Sequence, residues 1–359
     1  MGERANYIVL GGGAPKMYFH PWGADAAPRS LIWGVNNFLQ FAETLSPTRS
    51  LLADAYCEGA VLVDQPNKLA LVWGNWALRY RPALRRVYLA WLSIAWPGWK
   101  VYWAHRGLPD LRAYLHEPAE GGPAGNACSQ RSLSLAALAS PSWHGHSSLA
   151  MVQWADGRQA EYQIGVETGA ILCGGPGVLG LLDWTPPRPL PTNLAEDQQF
   201  GSLFVDVPRR RLVYGKQGRL LLTDDLAHTR GHWPDWDVNI QYGGMYDFCR
   251  ASGLDWRPYL PERQVVVASL SHYLLFDRRS QPERLSEMFD GFGDNRPLGP
   301  ADGASVYENS EPEIDPEEKR KWLEEILRVW ALDEQDYEKS LARPDRLELQ
   351  KTRGLGRFY

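Results

Sequence analysis

Short apolar runs separated by turn residues, interleaved with a few segments of helical spacing, predict a chain of hairpins and amphipathic helices. Tyr7-Ile8-Val9-Leu10 is an apolar run, Gly11 to Gly13 can take positive φ, and Met17-Tyr18-Phe19 returns, so residues 7–22 read as a hairpin. Val35, Phe38, Leu39, Ala42 and Leu45 share one face of a predicted helix. Gly59–Asp64 and Leu69–Gly74 flank the polar turn Gln65-Pro66-Asn67-Lys68 and form a second hairpin, apolar enough for a buried sheet. Pro82 opens a helix striped by Leu84, Val87, Tyr88, Trp91 and Ala95, and Trp96-Pro97 ends it, because the residue before a proline is pushed out of the helical region. Val101-Tyr102-Trp103 reads as a strand.

Composition changes from Glu117 to about Ser147, a stretch rich in Gly, Ala, Ser and Pro that reads as a linker. Beyond it, Leu149–Trp154 and Ala160–Ile164 flank Asp156-Gly157, a hairpin signal. An apolar Gly-rich segment at 169–184, a proline-rich bend, a hairpin at 201–215 and a strand at 264–276 follow. Asp315-Pro316-Glu317-Glu318 supplies an N-cap, a proline at the first helical position and acids near the positive end of the dipole, opening a C-terminal helix.

The chain also carries a repeated pattern. Trp96-Pro97-Gly98-Trp99-Lys100-Val101 recurs as Trp233-Pro234-Asp235-Trp236-Asp237-Val238, an offset of 137. A W-P-x-W string arises by accident roughly 0.05 times in a chain of this Trp and Pro usage, so a second copy in register argues for repetition. Gly107, Asp110 and Leu111 meet Gly244, Asp247 and Phe248, and upstream Gly59, Asp64, Pro66 and Gly74 match Gly201, Asp206, Pro208 and Gly215. The expected fold is therefore α+β: two divergent tandem copies of a hairpin–helix–strand unit with a C-terminal helical extension. The expected boundaries are 1–116 for the first unit, 117–147 for the linker, 148–280 for the second unit, 281–314 for a loop and 315–359 for the helical tail. The two copies would pair face to face as a pseudo-symmetric body.

Charge and cysteine usage narrow the partners. The 359 residues carry 38 basic and 43 acidic side chains, a net charge of −5, which excludes a general nucleic-acid coat. Arginine far outnumbers lysine, a bias of GC-rich bacterial coding. Cys57, Cys128, Cys173 and Cys249 include no C-x-x-C pair, so a zinc ribbon or redox pair is not expected; reduced thiols in the cytoplasm are. No signal-like or 18-residue apolar segment is present, so no membrane association is expected.

The candidate chemistry is sparse. His228 and His232, at i and i+4 with Asp235 and Asp237 beyond, are the best set of metal-type or acid–base side chains, although Pro234 ends the helix and no Glu follows the first His. His144 and His146 lack a neighbouring carboxylate. Gly11–Lys16 lacks the order of a phosphate loop, Gly174–Gly177 reads as another turn, and Asp290–Asn295 lacks the order of a calcium loop; no resident metal or cofactor is expected. Arg79, Arg81, Arg85 and Arg86, with Arg209 to Arg211, would make a basic face or an ordinary solvated surface. Trp99 and Trp236 would either plug a helix–sheet junction or stack a sugar or base. With no complete catalytic constellation, the leading expectation is a non-catalytic bacterial protein that binds a protein partner, such as an immunity or accessory factor. The alternatives are a hydrolase or transferase in a cleft between the copies, using His228, His232, Asp235 and Asp237 with Arg79 or Arg209 holding an anion, and a carbohydrate or nucleotide binder using Trp99 and Trp236.

Overall fold

The apolar runs Tyr7–Leu10, Gly59–Asp64, Leu69–Trp73 and Leu149–Gln153 become inner strands, and the stripe opened by Pro82 becomes a helix. The computed structural model describes residues 4–21, 23–54, 56–117, 147–164, 168–184, 199–216, 226–241 and 244–255, together with single positions from Val266 to Leu270 and from Asp315 to Glu324. They fall into two compact units: one holds residues 4–78 and 84–117 and the positions from Val266 onward, the other residues 79–83 and 147–255.

In the first unit β1 (Ala5–Leu10) and β2 (Lys16–His20) form the expected hairpin, followed by α1 (Ala27–Ser30) and α2 (Gly34–Thr44). A short β3 (Ser46–Thr48) precedes the hairpin of β4 (Gly59–Asp64) and β5 (Leu69–Trp73). Then come α3 (Trp76–Tyr80) and α4 (Pro82–Ala95), whose residues 79–83 cluster with the second unit, β6 (Lys100–Trp103) and α5 (Leu108–Leu115). The sheet order is β3-β2-β1-β4-β5-β6, with β1–β4 and β5–β6 parallel and the other pairs antiparallel. Every residue of β4 and β5 is buried, which is why, Asp64 apart, these strands read as continuous apolar runs rather than alternating ones. The buried face of α2 places Phe41 edge-on to Tyr7 of β1, ring centroids 5.7 Å apart.

The second unit opens with the Asp-Gly hairpin of β7 (Ser147–Gln153) and β8 (Gln159–Ile164). Next come α6 (Thr168–Gly174), a 3₁₀ turn at Gly175–Gly177 and α7 (Val178–Trp184). The hairpin of β9 (Gln199–Asp206) and β10 (Arg211–Lys216), then α8 (Leu226–His232), β11 (Asp237–Gln241) and α9 (Gly244–Ser252) complete it. Its sheet runs β8-β7-β9-β10-β11, with β7–β9 and β10–β11 parallel and β7–β8 and β9–β10 antiparallel. One face carries Ala150, Leu203, Val205, Leu212 and Tyr214 against Ile171, Leu182 and Trp233. The other carries Leu149, Phe204 and Val213 against Met245, Phe248 and Cys249 of α9.

The fold is thus a mixture of helices with two mixed sheets, and four expectations change. Residues 264–276 read as a strand, but Val266, Ala268 and Leu270 are helical; a short apolar run carries no periodicity that separates a buried strand from a buried helix. Gly174–Gly177 does not turn a hairpin but links two helices, with Gly175 at φ +61, where a side chain would be strained and its Cβ would collide with the His232 carbonyl oxygen. Arg85 and Arg86 are buried rather than part of a surface: Arg85 lies over the Trp103 ring at 5.4 Å and donates to the Leu78 carbonyl at 3.3 Å. Cys173 is disulfide-bonded while Cys57 and Cys249 are free, so the cysteines are not all reduced; disulfides are rare in a reducing cytosol. Helices α5 and α9, each entered through a positive-φ glycine (Gly107 and Gly244), are additional to the elements the hydrophobic pattern predicts. The expected linker, the proline-rich bend, the loop at 281–314 and the Asp290–Asn295 segment lie outside the described residues, as do Cys128, His144 and His146. At the start of the tail, Asp315 Oδ1 accepts from the Glu317 and Glu318 amides at 2.8 and 3.2 Å, as an N-cap does. No helix among the described residues is long and apolar enough to cross a membrane.

Candidate functional site

The residues singled out in the sequence occupy turns and packing corners. The His232 side chain is half-buried at the end of α8, and His228 belongs to the same helix, with its side chain outside the described set. Asp235 is exposed at φ +64 between the two tryptophans, the conformation that Gly98 takes at φ +78 in the first unit. Asp237 is exposed at the head of β11, and its amide donates to the Arg210 carbonyl at 2.8 Å. Among the described residues no group of three or more His, Cys, Asp or Glu side chains is placed to hold a metal ion.

In each Trp pair the first ring is buried and the second half-buried. Trp96 Nε1 donates to the Leu31 carbonyl at 2.6 Å, and Trp233 Nε1 donates to the Leu172 carbonyl at 2.7 Å. Trp99 packs edge-on against Trp96 at 5.0 Å and Trp236 against Trp233 at 4.9 Å, so the outer rings are buttressed by the inner ones. Arg209 is bound back to Asp206 within its own turn: its amide meets Oδ1 at 3.1 Å and its guanidinium meets Oδ2 at 2.9 Å. Arg79 is half-buried on α3. These side chains do not assemble a common site within either unit's described residues.

A different place in the second unit has the features of a site. Among the described residues β8 pairs only with β7, whereas β2, which holds the corresponding end position in the first sheet, is covered by β3. The β7–β8 turn closes with Trp154 N–H on the Arg158 carbonyl at 2.8 Å and Gly157 N–H on the Trp154 carbonyl at 3.1 Å. Antiparallel ladders alternate bonded and non-bonded pairs, so from this turn the bonded pairs are Val152 with Ala160 and Ala150 with Tyr162. The backbone N–H and C=O groups of Gln159, Glu161 and Gln163 are then directed to the open side.

Beside that edge lies a cavity of about 420 Å³. Met151, Phe204 and Leu254 give it an apolar floor, and Gln159, Ala160 and Glu161 of β8 wall it. The cavity exists because α9 packs on β9, β10 and β11 and leaves the β7–β8 side of that face. Leu254 reaches its place through a helix end in which Gly253, at φ +75, lets the Leu254 amide bond the Cys249 carbonyl at 2.9 Å. Glu161 is half-buried and has no hydrogen-bond or ion-pair partner among the described residues. Nearby, Arg158 spans Asp156 and Asp183 and so is already neutralised; its backbone amide, and then its guanidinium, hold the Asp156 carboxyl below the usual range. Burial pushes the Tyr162 hydroxyl above its ordinary pKa, so it stays protonated.

Sequence reasoning missed this edge. Gln159-Ala160-Glu161-Tyr162 is unremarkable as text, because what leaves an edge open is tertiary pairing. The one available hint was Glu161 and Gln163 alternating with Tyr162 and Ile164, the pattern of a strand with one polar side. No protein-family model matches the chain, and neither a curated protein nor a solved structure matches it.

Proposed function

We propose that the chain consists of two divergent copies of one unit and acts by binding a protein partner, which adds a strand to the open edge of β8. Duplication draws support from detail that a shared fold class alone would not require. The succession antiparallel, parallel, antiparallel, parallel runs through β2-β1-β4-β5-β6 and again through β8-β7-β9-β10-β11. Lys68 and Arg210 take φ of +46 and +48 in matching turns, and their carbonyls accept the Lys100 and Asp237 amides, both at 2.8 Å. Each inner Trp of the W-P-x-W pattern reaches a carbonyl roughly sixty residues earlier.

The observation that carries the binding reading is the difference between the two copies at one edge: β2 is covered by β3, and β8 has no such strand among the described residues. Exposed strand edges are templates for pairing, and an extended peptide docking there gains affinity from the backbone and selectivity from adjacent pockets. An immunity or accessory factor would use such an edge. The acid–base alternative draws less support, since Asp235 and Asp237 are accounted for by the turn and the strand they build. Glu161→Pro tests the reading. It removes an outward N–H that β7 does not use, and edge strands tolerate proline there. A random-peptide display library panned on the full chain should enrich extended peptides on the wild type and not on this variant, with thermal stability unchanged. Equal enrichment of the same peptides on both overturns the reading.

A further inference from the structure

We infer that the segment accepted by β8 runs antiparallel to it, places an Arg or Lys opposite Glu161 and carries a large apolar side chain two residues later, opposite Gln159. The inference rests on the partner-binding reading above and adds the chemistry of the partner. The direction comes from the covered edge of the first sheet, where β3 lies antiparallel to β2 with Met17 opposite Thr48, Tyr18 opposite Pro47 and Phe19 opposite Ser46. Superposing the hairpins through the pairs Tyr7–Tyr18 and Ala150–Tyr162 puts Glu161 at the position of Met17. A strand laid on β8 as β3 lies on β2 therefore sets one residue directly across from Glu161.

Directly opposite residues share a face of the sheet, so that residue points to the side on which Glu161, Met151 and the cavity lie. Glu161 is a half-buried carboxylate with no cation among the described residues, and a cationic side chain with a long apolar stem meets both it and the apolar floor. In an antiparallel segment the residue two positions later lies across from Gln159, again on the cavity side. There Met151, Phe204 and Leu254 receive an apolar side chain. The position between them faces away from the cavity and places no demand on side-chain chemistry; β3 carries Pro47 opposite Tyr18.

Capped octapeptides test this, with Arg or Glu at the third position and Leu or Ser at the fifth in a constant Thr/Val background. Binding to the full chain is followed by fluorescence anisotropy. The wild type should bind the Arg/Leu peptide about tenfold more tightly than the Glu/Leu peptide, because opposite and like charges across a strand pair act in opposite directions. Replacing Leu by Ser should weaken binding several-fold. Glu161→Lys should invert the charge preference, and Glu161→Pro should abolish binding of all four peptides. Equal affinities for the Arg and Glu peptides, or a preference that survives Glu161→Lys, overturn the proposed chemistry; loss of binding in the proline variant would then still uphold partner docking at β8. Binding that the proline variant leaves intact overturns both, as does the absence of any binding at millimolar peptide.

Discussion

Replacing Trp233 with Phe isolates what the inner indole of the second unit does. The ring is buried, and its Nε1 donates to the Leu172 carbonyl at 2.7 Å. Leu172 lies in α6, and the residue four positions on, which would supply its helical N–H, is Pro176. Proline has no N–H, so the indole takes over a carbonyl that the helix cannot satisfy. Phe retains the edge-on contact with Trp236 but removes the donor and part of the ring. The lost apolar volume costs about 1–2 kcal/mol, and the abandoned carbonyl about 1–3 kcal/mol. A total of about 2–5 kcal/mol should speed native-state amide exchange in β9 and β10 by roughly one and a half to three and a half decades, at about 1.4 kcal/mol per decade. Trp96→Phe should cost the first unit less, because the Leu31 carbonyl also accepts the Gly34 amide at 3.2 Å and keeps that bond. Trp236→Phe, at a half-buried ring, should cost least. Equal costs for Trp233→Phe and Trp236→Phe would refute the argument from the orphaned carbonyl.

Two further substitutions and labels follow from the same geometry. Gly175→Ala should destabilise the second unit by about 2 kcal/mol or more, since its Cβ would stand 2.4 Å from the His232 carbonyl oxygen at φ +61; Gly177→Ala, with nothing within 4 Å of its Cβ, should be close to neutral in the same exchange measurement. Burial, with a smaller contribution from Asp255, pushes the Cys249 thiol up to about 12, so iodoacetamide at pH 8 should leave it unlabelled in the folded chain. Folding favours the neutral thiol, so this group's stabilisation is full below an unfolded pKa near 8.5 and falls as pH rises towards about 12. Cys173 should alkylate only after reduction, and labelling of unreduced, denatured protein at Cys173 would contradict its disulfide.

Local signals were legible where one residue type has one physical job. Asp156-Gly157 and the glycines at 11–13 marked hairpins, Pro82 opened α4, and the W-P-x-W strings marked where β6 and β11 begin. The arginines were misread because Arg85 and Arg86 look like a solvated face until Trp103 and the Leu78 carbonyl are brought to Arg85 by the fold. Asp235 looked like a ligand because its φ of +64 is invisible in the sequence. The openness of the β8 edge left only the polar alternation of Glu161 and Gln163: β3, which among the described residues distinguishes the two sheets, is three residues long, contains Pro47 and has no periodicity, so it leaves no pattern of its own.

Residue-resolved hydrogen exchange along β8 in the free chain tests the central claim most directly. Ala160 and Tyr162, bonded to β7, should exchange slowly, while Glu161 and Gln163 exchange near the rate of an open chain; β2, covered on both sides, should be slow throughout. Protection of Glu161 and Gln163 equal to that of their neighbours would mean that the edge is already filled, and the account of a partner's strand docking there would fall.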